Sequence, residues 1–218
     1  MFAAIFIPNF SLQAVLRHEP ELIARAVALT DSELPKLGII QLTARARSAG
    51  VWEGMTASQA MARCSDLVIK SRSPAQELAA TEVLIQTAYA FSPFIESTNP
   101  GVCTMDLRGL RIVEDETSAR EWAEEICKAL AQFHLHSRIG FAATPELALL
   151  AANYHSGSSA FLVSKPAEFV RTADRNSRAA VGNTGNFEPL GHWYCRRSAC
   201  IGQRPACATP RPGSNRGI

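Results

Sequence analysis

Few side chains in this sequence have both the type and the spacing for joint chemistry. Cys195, Cys200 and Cys207 crowd around His192, the atom types a zinc ion takes. Their gaps match neither Cys-x-x-Cys nor any other paired ligand spacing, so no zinc site is expected. Glu114-Asp115-Glu116 is a run of carboxylates at the start of an amphipathic stretch, where complementing a helix dipole explains it better than acid–base work. Cys64, Cys103 and Cys127 stand alone in apolar or helical surroundings and are expected as buried thiols. Arg47, on a short helix, is expected at the solvated surface.

The elements that must carry these groups follow from periodicity. Phe2 to Ile7 is a continuous apolar run, suited to a central strand covered on both faces. Leu12, Val15 and Leu16 have helical spacing, with Ser11 as the expected cap and an end near His18-Glu19-Pro20. Two strands follow at 26–30 and 38–42, then a helix at 57–64 and a strand at 66–70. Ser73-Pro74 opens a long helix in which Leu78, Ala79, Val83, Leu84, Ala88 and Phe91 recur at three- and four-residue steps. Phe91 to Gly109 reads as a hairpin turning at Asn99-Pro100-Gly101, because Pro fixes one turn residue and Gly supplies positive φ at the next. A helix at 119–133, a strand at 137–143 and a helix at 146–154, capped by Thr144-Pro145, complete the body. The order of elements is that of an α+β sheet with its helices on one face.

Composition divides the chain. Its 218 residues, 47% hydrophobic, suffice for one core with a small insertion. No apolar run reaches membrane-spanning length and Pro8 cuts the N-terminal run without a basic start, so a cytoplasmic protein is expected. Residues 1–170 carry 14 Lys/Arg against 18 Asp/Glu, whereas 171–218 carry 8 Arg against 2 acids. A net-acidic body argues against tight unaided binding to nucleic acid, whose affinity is dominated by phosphate contacts. The tail has few aliphatic residues, four Pro and six Gly, and is expected to be disordered.

In three places the sequence resembles the Y-family DNA polymerases, the UmuC/DinB-like superfamily. The hairpin Phe91-Ser92-Pro93 through Glu96 to Met105-Asp106-Leu107 and Gly109 resembles their central palm hairpin. The block from Ala44 and Arg47 through Gly50-Val51, Gly54-Met55 and Cys64 to Asp66-Leu67 resembles their small fingers domain. The segment from Ser137 through Gly140 to Leu149 is similar to their last palm strand and helix. The resemblance covers about residues 1–170. It implies a ferredoxin-like palm with covering helices: residues 1–30 as its opening portion, 31–72 as a fingers insertion and 73–170 as its remainder.

The resemblance also implies where the family's reactive groups would stand. The three carboxylates that hold divalent cations fall on Ile7, Gly101 and Val102, none of which can hold a cation. The ribose-facing aromatic falls on Leu12 and the triphosphate-binding Tyr on Ala44. Two lysine positions are taken by Pro145 and Leu149. Only Arg47 keeps a nucleotide-binding residue type. Two-metal phosphoryl transfer requires carboxylates that clamp both ions, so no catalytic residue and no metal cofactor are expected.

These replacements are similar to the chemistry-free ImuB-type branch, accessory proteins of damage-induced mutagenesis. That branch implies a replicative-class error-prone polymerase, an ImuA-type protein and the sliding clamp as partners, with DNA contacted weakly or through them. Two other readings stand beside it. One is an active polymerase fragment, with magnesium, using Glu96 and Asp106. The other is a non-specific nucleic-acid binder in which the arginines from Arg171 to Arg216 form a salt-sensitive arm. After Val170 an ImuB-type protein should continue into a thumb. The tail, read one nucleotide later, permits such a sequence, so a frameshift near Val170 is expected.

Overall fold

The computed structural model describes residues 1–31, 38–110 and 116–154 and the strand Phe161–Leu162. Phe2–Phe6 (β1) is the middle strand of a five-stranded sheet, with Ala3, Ala4 and Ile5 fully buried. On one side it pairs antiparallel with Val102–Asp106 (β6), from Phe2 opposite Asp106 to Phe6 opposite Val102. On the other it pairs antiparallel with Arg138–Ala142 (β7). Ile95–Asn99 (β5) and Phe161–Leu162 (β8) close the two edges, in the order β5-β6-β1-β7-β8.

Helices cover both faces of this sheet. Pro74–Phe91 (α4) and Glu116–Ala131 (α5) bury Leu84, Ala88, Trp122, Ile126 and Leu130 against Ile5, Met105, Ile139 and Phe141. Trp122 stands edge-on to Phe91, with ring centroids 5.9 Å apart. The expected placement of every helix on one face is corrected by Pro145–Tyr154 (α6), which packs on the other. Gly140 alternates with Ile139 and Phe141 and so points away from α4 and α5. A Cβ there would lie 2.2 Å from the Ala148 carbonyl, so only glycine admits α6 this closely. Ala4, Ala142 and Ala148 line the contact.

A second, three-stranded sheet has the order β3-β2-β4. Val27–Thr30 (β2) lies between antiparallel Ile39–Leu42 (β3) and parallel Val68–Ser71 (β4). Since β2 belongs here, the division at residues 30 and 31 cuts through this sheet. Ala44–Ser48 (α2) and Ala57–Arg63 (α3) lie between β3 and β4 in the chain, and their Ala46 and Ala60 are buried with Leu42 and Val51. A capping box, Thr56 with Gln59, starts α3.

Phe10–Leu16 (α1) joins the two sheets. Phe10 and Ala14 belong to the core under α4, whereas Leu12, Val15 and Leu16 pack with Leu22, Val27 and Leu29. Ser11 is not its cap. Asn9, in a left-handed conformation, precedes the helix without a side-chain bond, and Gln41 Oε1 of β3 accepts from the Leu12 N–H at 2.8 Å. A free helix N–H is thus satisfied from the other sheet.

Candidate active-site region

Ile7, Gly101 and Val102, the positions to which the resemblance assigns cation-binding carboxylates, come together at one end of the β1–β6 pair. Ile7 is 1% exposed and its N–H donates to the Gly101 carbonyl at 2.9 Å. Val102 sits opposite Phe6 and is buried. Gly101 has φ +73°, in the left-handed region, and follows Pro100 in the hairpin turn. A Cβ built on Gly101 would lie 2.7 Å from Phe10 Cβ and 2.8 Å from Phe10 Cγ. The space into which a side chain at 101 would project is filled by the Phe10 side chain, itself buried.

No side-chain oxygen is contributed by Ile7, Gly101 or Val102, and a cation placed there would meet hydrocarbon. These residues do not fit a divalent ion. Among the described residues, no group of three or more His, Cys, Asp or Glu could hold one. Two carboxylates on the same hairpin stand elsewhere. Asp106 pairs with Phe2 at the far end of β1, four residues and roughly 13 Å along the strand from Val102. Its carboxylate accepts from the Arg108 side chain, at 2.6 Å for Nη2–Oδ2, and from the Arg108 N–H at 2.9 Å. Those bonds hold its pKa below the usual range. Arg108 in turn lies over the Phe2 ring, 5.4 Å from its centroid. Glu96 is exposed on edge strand β5, opposite Thr104, roughly two strand spacings or 10 Å from β1. Neither converges on Ile7.

Positions assigned to nucleotide contact are also built differently. Leu12 is buried between α1 and the three-stranded sheet. Ala44 is exposed at the start of α2. Arg47 is an ion-paired surface residue. Its Nη2 bonds Glu53 Oε1, its Nη1 reaches Glu53 Oε2 at 3.3 Å, and the guanidinium lies 6.0 Å from the Trp52 ring centroid. An open groove of about 560 Å³ lies alongside, lined by Trp52, Met55, Gln59 and Arg63 among others. Pro145 and Leu149 are half-buried on α6. Cys64 and Cys103 are buried thiols as expected, whereas Cys127 is only half-buried; burial pushes Cys103 up to about 11. Glu114, Asp115, His192, the three tail cysteines and the arginine-rich tail lie outside the described residues.

One cluster escaped the reading of the sequence. Arg72, just past β4, places Nε 2.7 Å from Glu77 Oε1, Nη2 2.9 Å from Glu77 Oε2 and Nη1 3.0 Å from Asp31 Oδ2. Asp31 and Glu77 are 6% and 7% exposed. A signal was present. The buried positions of α4 are Glu77, Ala80, Leu84 and Ala88, so Glu77 is a charge in line with an apolar stripe.

Two hydrophobic-cored sheets, one five-stranded with helices on both faces and one three-stranded with two short helices, make a palm-and-fingers arrangement. Residues 5–153 match the model of the impB/mucB/samB family, and the chain belongs to that family. Comparison with curated proteins finds no match. Among solved structures, the chain is similar to an insertion ternary complex of Dbh DNA polymerase at 17% identity and TM-score 0.65, covering 77% of this chain and 50% of that one. DinB from Sulfolobus solfataricus matches at 16% identity and TM-score 0.64, over 77% and 49%. A post-insertion binary complex of Dbh DNA polymerase matches at 16% and 0.66, over 78% and 50%. At this identity the likeness establishes the Y-family fold. The chain spans about half the length of these structures. Among the described residues, no helix is long and apolar enough to cross a membrane.

Proposed function

We propose that this chain is a non-catalytic, ImuB-type member of the Y-family superfamily, serving DNA repair by damage-induced translesion synthesis as an accessory or scaffold. The observation that carries the proposal is the closed end of the β1–β6 pair. Ile7 and Val102 are buried hydrocarbon, and Gly101 can take no side chain while Phe10 stays where it is. Templated phosphoryl transfer by two metal ions depends on carboxylates converging on both cations, and this corner offers none. No cofactor is assigned, and magnesium enters only under the alternative in which Glu96 and Asp106 serve an active polymerase fragment. Their separation from Ile7 and the Arg108 clasp on Asp106 weigh against that alternative.

The proposed partners are a replicative-class error-prone polymerase, an ImuA-type protein and the sliding clamp, with DNA reached weakly or through them, in the cytoplasm. Arg47, tied to Glu53, is a weak candidate for a phosphate contact. The structures of Dbh DNA polymerase include ternary and binary complexes, which supports DNA as a ligand of this fold. The change of composition after Val170 fits a frameshift there, which the nucleotide sequence downstream of that codon tests.

Primer extension with the purified chain, in magnesium and in manganese, tests the function. No templated incorporation is expected. Incorporation that co-purifies with the chain overturns the proposal in favour of the polymerase reading. DNA binding of the full chain against one ending at Val170 then isolates the tail: binding lost with the tail assigns affinity to the arginine-rich arm.

A further inference from the structure

We infer that the Asp31–Arg72–Glu77 triad is a latch that fixes the three-stranded sheet to the palm, and with it the helix α1 that spans the two. The geometry divides the three residues between two bodies. Asp31 and Arg72 immediately follow the paired strands β2 and β4, and the Arg72 N–H donates to the Thr30 carbonyl at 2.8 Å, continuing that ladder. Glu77 is in the first turn of α4, whose Ala80, Leu84 and Ala88 belong to the palm core. A single guanidinium therefore bonds one carboxylate from each body, bidentately on the palm side.

Both carboxylates are more than nine-tenths buried. Moving the sheet away from α4 would break either the bidentate bonds of Arg72 to Glu77 or its bond to Asp31, all of them charge-assisted and partly shielded from water. The mutual hold shows in the ionisation of the partners. Hydrogen bonds from Arg72 lower the pKa of Glu77, and those to Glu77 and Asp31 raise that of Arg72. α1 spans the same junction: Phe10 and Ala14 belong to the palm core and Leu12, Val15 and Leu16 to the core under the three-stranded sheet, so opening the latch would also loosen α1. The triad's geometry does not depend on whether the chain is catalytic, so this inference and the proposed function fail independently.

Amide hydrogen exchange on the full chain tests it through Arg72→Met. Exchange in Leu12–Leu16 and Val68–Ser71 is expected to rise at least about tenfold, while Val102–Asp106 and Arg138–Ala142 keep their protection. Tm should fall by roughly 10 °C, since two buried carboxylates lose the guanidinium that bonds both. The neutral combination Asp31→Asn, Arg72→Met, Glu77→Gln should recover some of that Tm yet keep the faster exchange, which separates a latch from general stability. Parental exchange in both segments, or exchange that rises equally in all four, overturns the inference. Should Arg72→Met fail to fold, Arg72→Lys supplies the same reading. A lysine keeps the charge but cannot hold both carboxylates with a planar fork, so faster exchange in the two segments supports the latch and parental exchange overturns it.

Discussion

Two regions of the molecule treat charge in opposite ways. At the end of β1, around Ile7, Phe10, Gly101 and Val102, the positions that hold carboxylates in the polymerases are hydrocarbon or bare backbone, and Phe10 closes the gap. At the junction of the sheets, two buried carboxylates, Asp31 and Glu77, are bonded by one guanidinium. Charge was therefore not excluded from this region of the molecule in general. It persists where protein donors bond it, and the corner at Ile7, where no such donor is turned inward, carries none. That contrast supports the non-catalytic reading proposed above.

The sharpest way to break this contrast is to return a charge to the closed corner. Gly101→Asp combines a left-handed backbone with a Cβ inside contact distance of Phe10 and a carboxylate without donors. A loss of at least about 3 kcal/mol in denaturant unfolding is expected. Adding Phe10→Ala should recover some of it, because the two faults share one space. Equal stability for Gly101→Asp and the parent would mean that the corner is open.

Removing charge from the junction is the converse and should cost less, since Arg72 is about one-third exposed and water can replace some of what it loses. Glu77→Gln is expected to cost about 1–3 kcal/mol. Because Arg72 lowers the Glu77 pKa from its ordinary 4.5, this stabilisation is fully present above that value. It is lost as pH falls from there through the folded-state pKa. Acid unfolding of the parent should therefore steepen below about pH 4.5, and Glu77→Gln should flatten that limb. Identical acid limbs would remove Glu77 as its source.

The smallest effect belongs to Arg47, a surface ion pair with Glu53 beside Trp52. Arg47→Ala should change stability by about 0–1 kcal/mol. A drop in DNA or nucleotide affinity in the same variant, measured by titration, would raise Arg47 from a surface pair to a retained phosphate contact.

Much of the fold was legible because period and punctuation agree. The continuous apolar run at Phe2 to Ile7 became the central strand, and Pro100-Gly101 became the hairpin turn. The side of the sheet taken by α6 was not legible, because it depends on Gly140 admitting a helix backbone, a contact between residues that no local period relates. Ser11 looked like a cap from its type. The helix N–H of Leu12 is met instead by Gln41, 29 residues away. The positions assigned to cation ligands could be placed only by resemblance. What fills their space, Phe10, becomes visible only when the turn at Gly101 is folded back onto α1.

The most direct test of the central claim is a manganese titration followed by the electron paramagnetic resonance of free Mn²⁺, with the intact chain, primer–template DNA and a non-reacting dNTP analogue present together. No uptake beyond that of DNA and nucleotide alone is expected, and Ile7→Ala should leave the curve unchanged. Uptake of two ions per chain, lost when Glu96 and Asp106 are replaced by alanine, would contradict it.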